Sequence, residues 1–355
     1  MSVDQIPSFR RAVVFALGAA ALFGISTPFA KLLLGGLPPV LLAGLLYLGS
    51  GSGLTLLRAV RRVRGATSTP LVGPDIPWLA GAVLFGGVLG PILLMLGLRA
   101  TPASAAALLL NLEGVFTALL AWFVFRENVD RRIALGMAFI VGGGVALAWQ
   151  PGAGLHLTVG AVAVAAACLC WAIDNNLTQK VSAADPLLVA SIKGLAAGVV
   201  NTTFGIVLQP SVPRLGVLLS AGLVGFAGYG LSLVLFVMAL RPLGTARTAA
   251  YFSLAPFIGT GASIAIMREP MTPALMVAGA LMAAGAWLHL SERHEHEHAH
   301  EALAQSHTHR HDEHHQHDHE PGIDTAEPHA HWHVHAPMVH KHPHYPDIHH
   351  RHGHD

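Results

Sequence analysis

Along the chain, apolar residues arrive in blocks of about 20, the length that crosses a hydrocarbon layer about 30 Å thick. Ten such blocks predict ten helical spans, at about 12–34, 39–57, 78–98, 103–125, 132–149, 158–177, 186–208, 215–240, 245–267 and 273–290. The separators are short and hold turn chemistry, as in Gly35-Gly36-Leu37-Pro38-Pro39 and Gln150-Pro151-Gly152. A large soluble helical enzyme would need amphipathic stripes with charged faces, and residues 11–290 carry almost none. The pattern predicts an all-α membrane protein with ten transmembrane helices.

Composition agrees: 53% of the 355 residues are hydrophobic and 12% are charged, against roughly 25% charged in an ordinary soluble domain. Charge then divides the chain. Residues 1–290 hold 17 Lys and Arg against 8 Asp and Glu, whereas residues 291–355 hold 4 against 12 and also 22 of the 24 His. A membrane domain is followed by an acidic, metal-attracting tail of low hydrophobicity, which predicts disorder without metal. The two cysteines, Cys168 and Cys170, point to different faces of one helix, so they read as small apolar fillers rather than a disulfide.

Basic residues choose the orientation, because cytoplasmic loops retain Lys and Arg during insertion. With the amino terminus inside, the cytoplasmic segments up to Arg293 hold thirteen basic residues, among them Arg58, Arg61, Arg62, Arg64, Arg131, Arg132 and Lys180. The opposite side holds four: Lys31, Arg99, Arg214 and Arg268. Both termini are therefore expected in the cytoplasm of a bacterial inner membrane, with lipid as the surrounding partner.

The membrane part repeats itself. Leu98-Arg99-Ala100-Thr101-Pro102 aligns with Leu240-Arg241-Pro242-Leu243-Gly244, and the same offset of 142 places Arg126-Glu127 on Arg268-Glu269. Phe23-Gly24-Ile25-Ser26-Thr27 lies on Trp171-Ala172-Ile173-Asp174-Asn175 at an offset of 148. Each half has five spans, an odd number, so the halves must insert with opposite topology, an arrangement that recurs in transporters with a midplane site. The expected organisation is repeat one in 1–150, repeat two in 151–290 and the tail in 291–355. The repeat also argues that the first apolar block is retained rather than cleaved as a signal peptide.

Residues 12–290 resemble the EamA-type branch of the drug/metabolite transporter superfamily. The resemblance rests on Phe23-Gly24 to Lys31 in the first helix, and on Leu112-Glu113 through Ala121-Trp122 and Arg126-Glu127 to Gly136 and Gly142-Gly143-Gly144. In the second copy it rests on Leu254-Ala255-Pro256, Arg268-Glu269 and Gly279 to Gly285. It implies ten helices around a central cavity and, often, export of small metabolites driven by proton exchange or by the substrate gradient. Asp174-Asn175-Asn176, Lys193 and the tail depart from the usual pattern.

A charge at the bilayer centre costs about 2.5 to 3.5 kcal/mol on insertion scales, so each one is a candidate for function. Glu113, in span four, is either a proton-coupling or cation-binding carboxylate or a residue held by a neighbouring helix's donors. Asp174, with Asn175 and Asn176, faces Ser26, Thr27 and Pro28 of the other half. Pro28 frees a backbone carbonyl and invites a kink, so spans one and six are candidates for the polar lining of a cavity. The alternative for Asp174 is interhelical hydrogen bonding. Lys193 in span seven either neutralises Asp174 or Glu113, binds an anionic group, or snorkels. Arg99, Arg241, Glu127 and Glu269 read as anchors and helix caps. Gly81, Gly86, Gly87 and Gly90 in span three read as close-packing positions.

The tail carries His294, His296, His298 and His300, then His307, His309, His311, His314, His315, His317 and His319, then His329, His331, His333 and His335. Neutral imidazole suits Zn, Ni, Co and Cu, and alternate His on an extended chain point one way. Divalent-metal binding by the tail is expected.

No phosphate-binding Gly-Lys-Ser/Thr loop and no catalytic constellation is present, which argues against ATP-driven pumping, against an enzyme and against a required cofactor. Nucleic acid is not an expected partner, and a homodimer is compatible with the class. The primary expectation is a secondary transporter exporting small polar or amphipathic metabolites. The alternatives are a divalent-metal efflux protein whose tail collects or senses the ion, and a membrane metal sensor or store that transports nothing.

Overall fold

The computed structural model describes residues 9–63, 65, 69–125, 131–150, 154–181, 184–210, 213–290, 295–300, 303–309, 329–335 and 338–343. Contacts divide the chain into two units, Met1–Ser291 and Glu292–Asp355.

The first unit is helical. Its elements are α1 (Phe9–Leu33), α2 (Pro39–Val63), α3 (Ile76–Ala82), α4 (Gly90–Ala100), α5 (Ala103–Leu109), α6 (Leu112–Phe125), α7 (Arg131–Ala148), α8 (Val159–Lys180), α9 (Pro186–Leu208), α10 (Leu215–Gly225), α11 (Ser232–Phe252), α12 (Ala255–Met267) and α13 (Pro273–Leu290). Among the described residues, nine helical stretches are long and apolar enough to cross a membrane. The tenth expected span is the helix α13, whose apolar part, Pro273–Leu288, is shorter. Side chains such as Phe123, Val159 and Leu215 stand exposed on this unit, a surface that lipid covers and water would not.

Local chemistry explains several boundaries. The Asp185 carboxylate accepts from the Leu187 amide at 2.9 Å and Pro186 supplies the first helical position, so α9 starts there. Between α3 and α4, residues Val83–Leu89 form a π turn, and between α10 and α11 residues Phe226–Leu231 form another. Val83 and Phe226 are 143 positions apart, close to the offset of the sequence repeat. The chain also breaks in span four at Leu110-Asn111 and, 143 positions on, at Ser253-Leu254. One expected separator is absent: α11 runs on through Arg241 to Gly244 and stops only at Phe252.

Packing joins the halves. The main contacts are α2 on α9, α7 on α13, α1 on α11 and α12, and α4 on α8. Lipid tails give helices no hydrophobic reason to associate, so close backbone approach must supply the attraction. Where α2 crosses α9, a Cβ on Gly194 would lie 2.7 Å from the Gly51 Cα. Both positions therefore have to stay glycine.

The described residues of the second unit are four strands. Glu295–His300 pairs antiparallel with Met338–Pro343, and Leu303–His309 pairs antiparallel with His329–His335. Alternating His and non-His residues match the two-residue period of a strand, which is the physical reason an extended ladder forms. His294, His311, His314, His315, His317 and His319 lie outside the described residues, as do Arg126 and Glu127.

Candidate functional site

A cavity of about 510 Å³ opens among α1, α2, α8, α9, α11 and the second π turn. Its inner part is lined by Phe23, Tyr47 and Tyr229, and its outer part by Leu54 of α2 and by Val181, Ala184 and Pro186 where α8 passes into α9. It thus runs from the middle of the bundle toward the end that holds the carboxyl ends of α2 and α8.

Its polar side is built on two helices. Asp174 of α8 forms an ion pair with Lys193 of α9, and its other oxygen accepts from Thr178 Oγ1 at 3.0 Å, one turn along the same helix. Of the two partners expected for Lys193, the structure pairs it with Asp174. The pair is largely dehydrated, with Asp174 only 6% exposed. Such a pair is held by mutual charge and collapses if one member is removed. Next along α8, Asn175 lines the cavity and donates to Glu113 Oε1 at 2.9 Å. Glu113 sits in the first turn of α6, just past the break in span four, within electrostatic reach of both Asp174 and Lys193. Asn176 turns away and donates to its own helix, at the Ala172 carbonyl.

The other wall is aromatic. Ring centroids run Tyr47 to Tyr229 at 5.8 Å, Tyr229 to Phe23 at 5.8 Å, Phe23 to Phe252 at 5.6 Å and Phe252 to Phe236 at 5.1 Å. All five rings line the cavity, at centroid spacings where aromatic pairs attract.

The first π turn braces the ion pair. Pro91 has no N–H to give to Gly87 four residues back or to Gly86 five back, so both carbonyls are released from the helix ladder. Side chains from three other helices take them up: Tyr47 Oη at 2.8 Å and Trp171 Nε1 at 3.1 Å on Gly86, and Asn201 Nδ2 at 3.0 Å on Gly87. Gly86 also has to lack a side chain, because a Cβ there would lie 1.9 Å from Asp174 Oδ2. The close-packing reading of span three thus holds at Gly86 against the carboxylate, and at Gly81, Gly87 and Gly90 against Leu177, Ala197 and Trp171.

Ser26, Thr27 and Pro28 do not line this cavity. They are buried in α1, where Ser26 Oγ donates to the Phe23 carbonyl at 2.6 Å and is a hydrogen-bond partner of the Tyr229 hydroxyl. The expected facing of Ser26-Thr27-Pro28 and Asp174-Asn175-Asn176 across one polar lining is therefore replaced by support from behind an aromatic ring. Cys168 and Cys170 are free and buried. Among the described residues no group of three or more His, Cys, Asp or Glu side chains converges as a metal site would require.

The whole membrane unit also has relatives. A family model described as "EamA-like transporter family" matches residues 10–149 and 158–291. A protein of Methanothermobacter thermautotrophicus named "Uncharacterized transporter" is 28% identical over 287 residues, covering 76% of this chain and 83% of the relative. A protein of Salmonella typhimurium named "Probable amino-acid metabolite efflux pump" is 25% identical over 303 residues, covering 79% and 95%. A solved crystal structure superposes with a TM-score of 0.58 at 21% identity, covering 78% of this chain and 96% of that one, which supports the fold alone.

Proposed function

The chain belongs to the EamA-like transporter family, and on that premise we propose that it is a secondary transporter exporting small amphipathic metabolites that carry both an amine and a carboxylate. The observation that carries this reading is the Asp174–Lys193 pair facing a wall of five aromatic rings in one cavity. A zwitterion can exchange partners with such a pair, its ammonium going to Asp174 and its carboxylate to Lys193, without leaving either buried charge alone. The rings take the apolar remainder of the solute. The name of the Salmonella typhimurium relative, an amino-acid metabolite efflux pump, agrees with this class.

Transport would run by alternating access between two inverted five-helix repeats, residues 1–150 and 151–290. The recurrence of the π turn and of the span-four break after 143 positions supports that organisation, as does the pairing of helices across the halves. Thirteen basic residues against four support an amino terminus in the cytoplasm of an inner membrane, and with it the end of the bundle toward which the cavity runs. A cavity that loads from the cytoplasm favours export. Glu113, joined to the lining by Asn175, is the proposed proton-coupling group. Metal ions suit the cavity poorly, because a Lys ammonium already stands in it.

The test is counterflow in liposomes. Protein loaded with an unlabelled amino acid should accumulate the labelled solute well above protein-free vesicles, across a panel of apolar and aromatic amino acids. Background accumulation for the whole panel would remove the zwitterion reading.

A further inference from the structure

We propose that Lys31 and Glu269 form a latch that holds shut the end of the bundle opposite the cavity mouth, and that its release is a step of transport. The proposal rests on the alternating-access reading above. α4 ends at Ala100 and α5 begins at Ala103, with Thr101 and Pro102 extended between them. The corner therefore presents the negative pole of one helix and the positive pole of the next, side by side. Lys31, at the end of α1, donates its ammonium to the carbonyls of Leu98, Arg99 (3.2 Å) and Thr101 (3.0 Å). Glu269, just beyond α12, accepts from the amides of Ala103 at 2.7 Å and Ser104 at 2.9 Å. Each side chain carries the sign that its pole attracts.

What makes the Glu269 contact a latch rather than a cap is where the carboxylate comes from, whereas Lys31 belongs to the same half as the corner and holds its carbonyl side in place. Pro102 stands at the N-cap of α5 and supplies no side-chain cap, so the first amides of α5 depend on a carboxylate 166 residues away in the other half. A Ser or Asp cap would travel with its helix. A cap borrowed from the other half exists only while the two halves meet. The Thr260 hydroxyl, also of the other half, shares its one proton between the Ser104 carbonyl at 3.1 Å and the Pro256 carbonyl of its own helix at 2.9 Å.

Backbone strain points the same way. Arg268 has φ +54, the one positive φ outside glycine among the described residues, in a region that other L residues rarely enter. This left-handed residue turns the chain out of α12 at the residue before Glu269. None of the corner residues lines the cavity, and of the helices that meet at the corner only α1 contributes to it, through Phe23.

The experiment uses Ala190→Cys, a half-buried cavity-lining position in the first turns of α9, as a reporter near the cavity mouth, in the full chain with Cys168→Ala and Cys170→Ala. A membrane-impermeant maleimide is added to either face of oriented vesicles without substrate. With the latch intact, labelling is expected almost wholly from the mouth side. In Glu269→Gln the ratio of labelling rates from the two faces should fall about tenfold, as expected when a charge-assisted hydrogen bond becomes a neutral one, and in Lys31→Gln, which loosens the corner that Glu269 caps, it should fall by more than about twofold but less than that. A ratio within about twofold of the parent in whichever variants fold, judged by monodispersity and melting temperature, overturns the latch. Thr260→Val, which leaves both charges in place, should give a smaller shift in the same direction, and it keeps the test open if both charge variants fail to fold. The labelling needs no substrate. A shifted ratio without counterflow in the parent therefore sinks the substrate reading alone, and counterflow with an unshifted ratio sinks the latch alone.

Discussion

Asp174 and Lys193 stand on different helices, α8 and α9, and meet as an ion pair at the edge of the cavity. Removing one partner leaves the other as an uncompensated buried charge, at a cost of about 3 to 5 kcal/mol. Asp174→Asn and Lys193→Met should therefore each lower the melting temperature in detergent and abolish flux. The double variant should recover most of the stability and none of the transport. Recovery of flux in the double variant would show that the pair only holds helices together.

Gly86→Ala should damage the same site without altering any charge. The new Cβ would lie 1.9 Å from Asp174 Oδ2, so α8 or the first π turn must shift. Flux should fall at least tenfold, and thermal stability should fall with it. Gly36→Ala is the control, since a Cβ there meets nothing within 4 Å.

These two predictions draw on information of different kinds, and that difference explains what could be read from the chain alone. Asp174, Lys193 and Glu113 were legible because a charge in an apolar block is costly and conspicuous. The choice of Asp174 over Glu113 as the partner of Lys193 was not, because it depends on how α8 and α9 face each other. Phe23, Tyr229, Phe236 and Phe252 carried no signal of a lining role: an aromatic residue in a membrane helix reads equally as lipid-facing or as lining. Pro91 after Gly86-Gly87 was a usable sign of released carbonyls, matched to Tyr47, Trp171 and Asn201 only by the fold. Ser26-Thr27-Pro28 misled because polarity inside a helix can be satisfied locally, as the Ser26 bond to the Phe23 carbonyl does. Glu269 was legible as a cap, whereas the helix it caps belongs to the other half.

Tyr47→Phe isolates one brace. The ring stays against Tyr229 and only the hydroxyl bond to the Gly86 carbonyl is lost, while Trp171 still donates to that carbonyl. A loss of about 1 kcal/mol of stability is expected, with flux reduced severalfold rather than abolished. A change as large as that of Gly86→Ala would mean that Tyr47 touches the solute directly.

Deleting residues 291–355 separates the tail from the membrane unit. Metal binding should go with the tail, because 22 of the 24 His lie there and the described membrane residues hold no converging ligand group. Zinc titration by calorimetry should show several sites in the full chain and none in the truncated one. Amino-acid counterflow should be unchanged by the truncation, since every residue of the cavity precedes Ser291.

Glu113→Gln addresses the driving force. The amide oxygen can still accept from Asn175 and the shape is kept, but the side chain can no longer exchange a proton. If Glu113 couples transport to protons, the variant should lose accumulation driven by an imposed pH gradient while keeping counterflow, which needs no net proton movement. The two assays on the same vesicles separate coupling from binding: loss of both would assign Glu113 to the binding of solute or to structure. Retention of gradient-driven accumulation would transfer the coupling role to Asp174, the other carboxylate of the cluster.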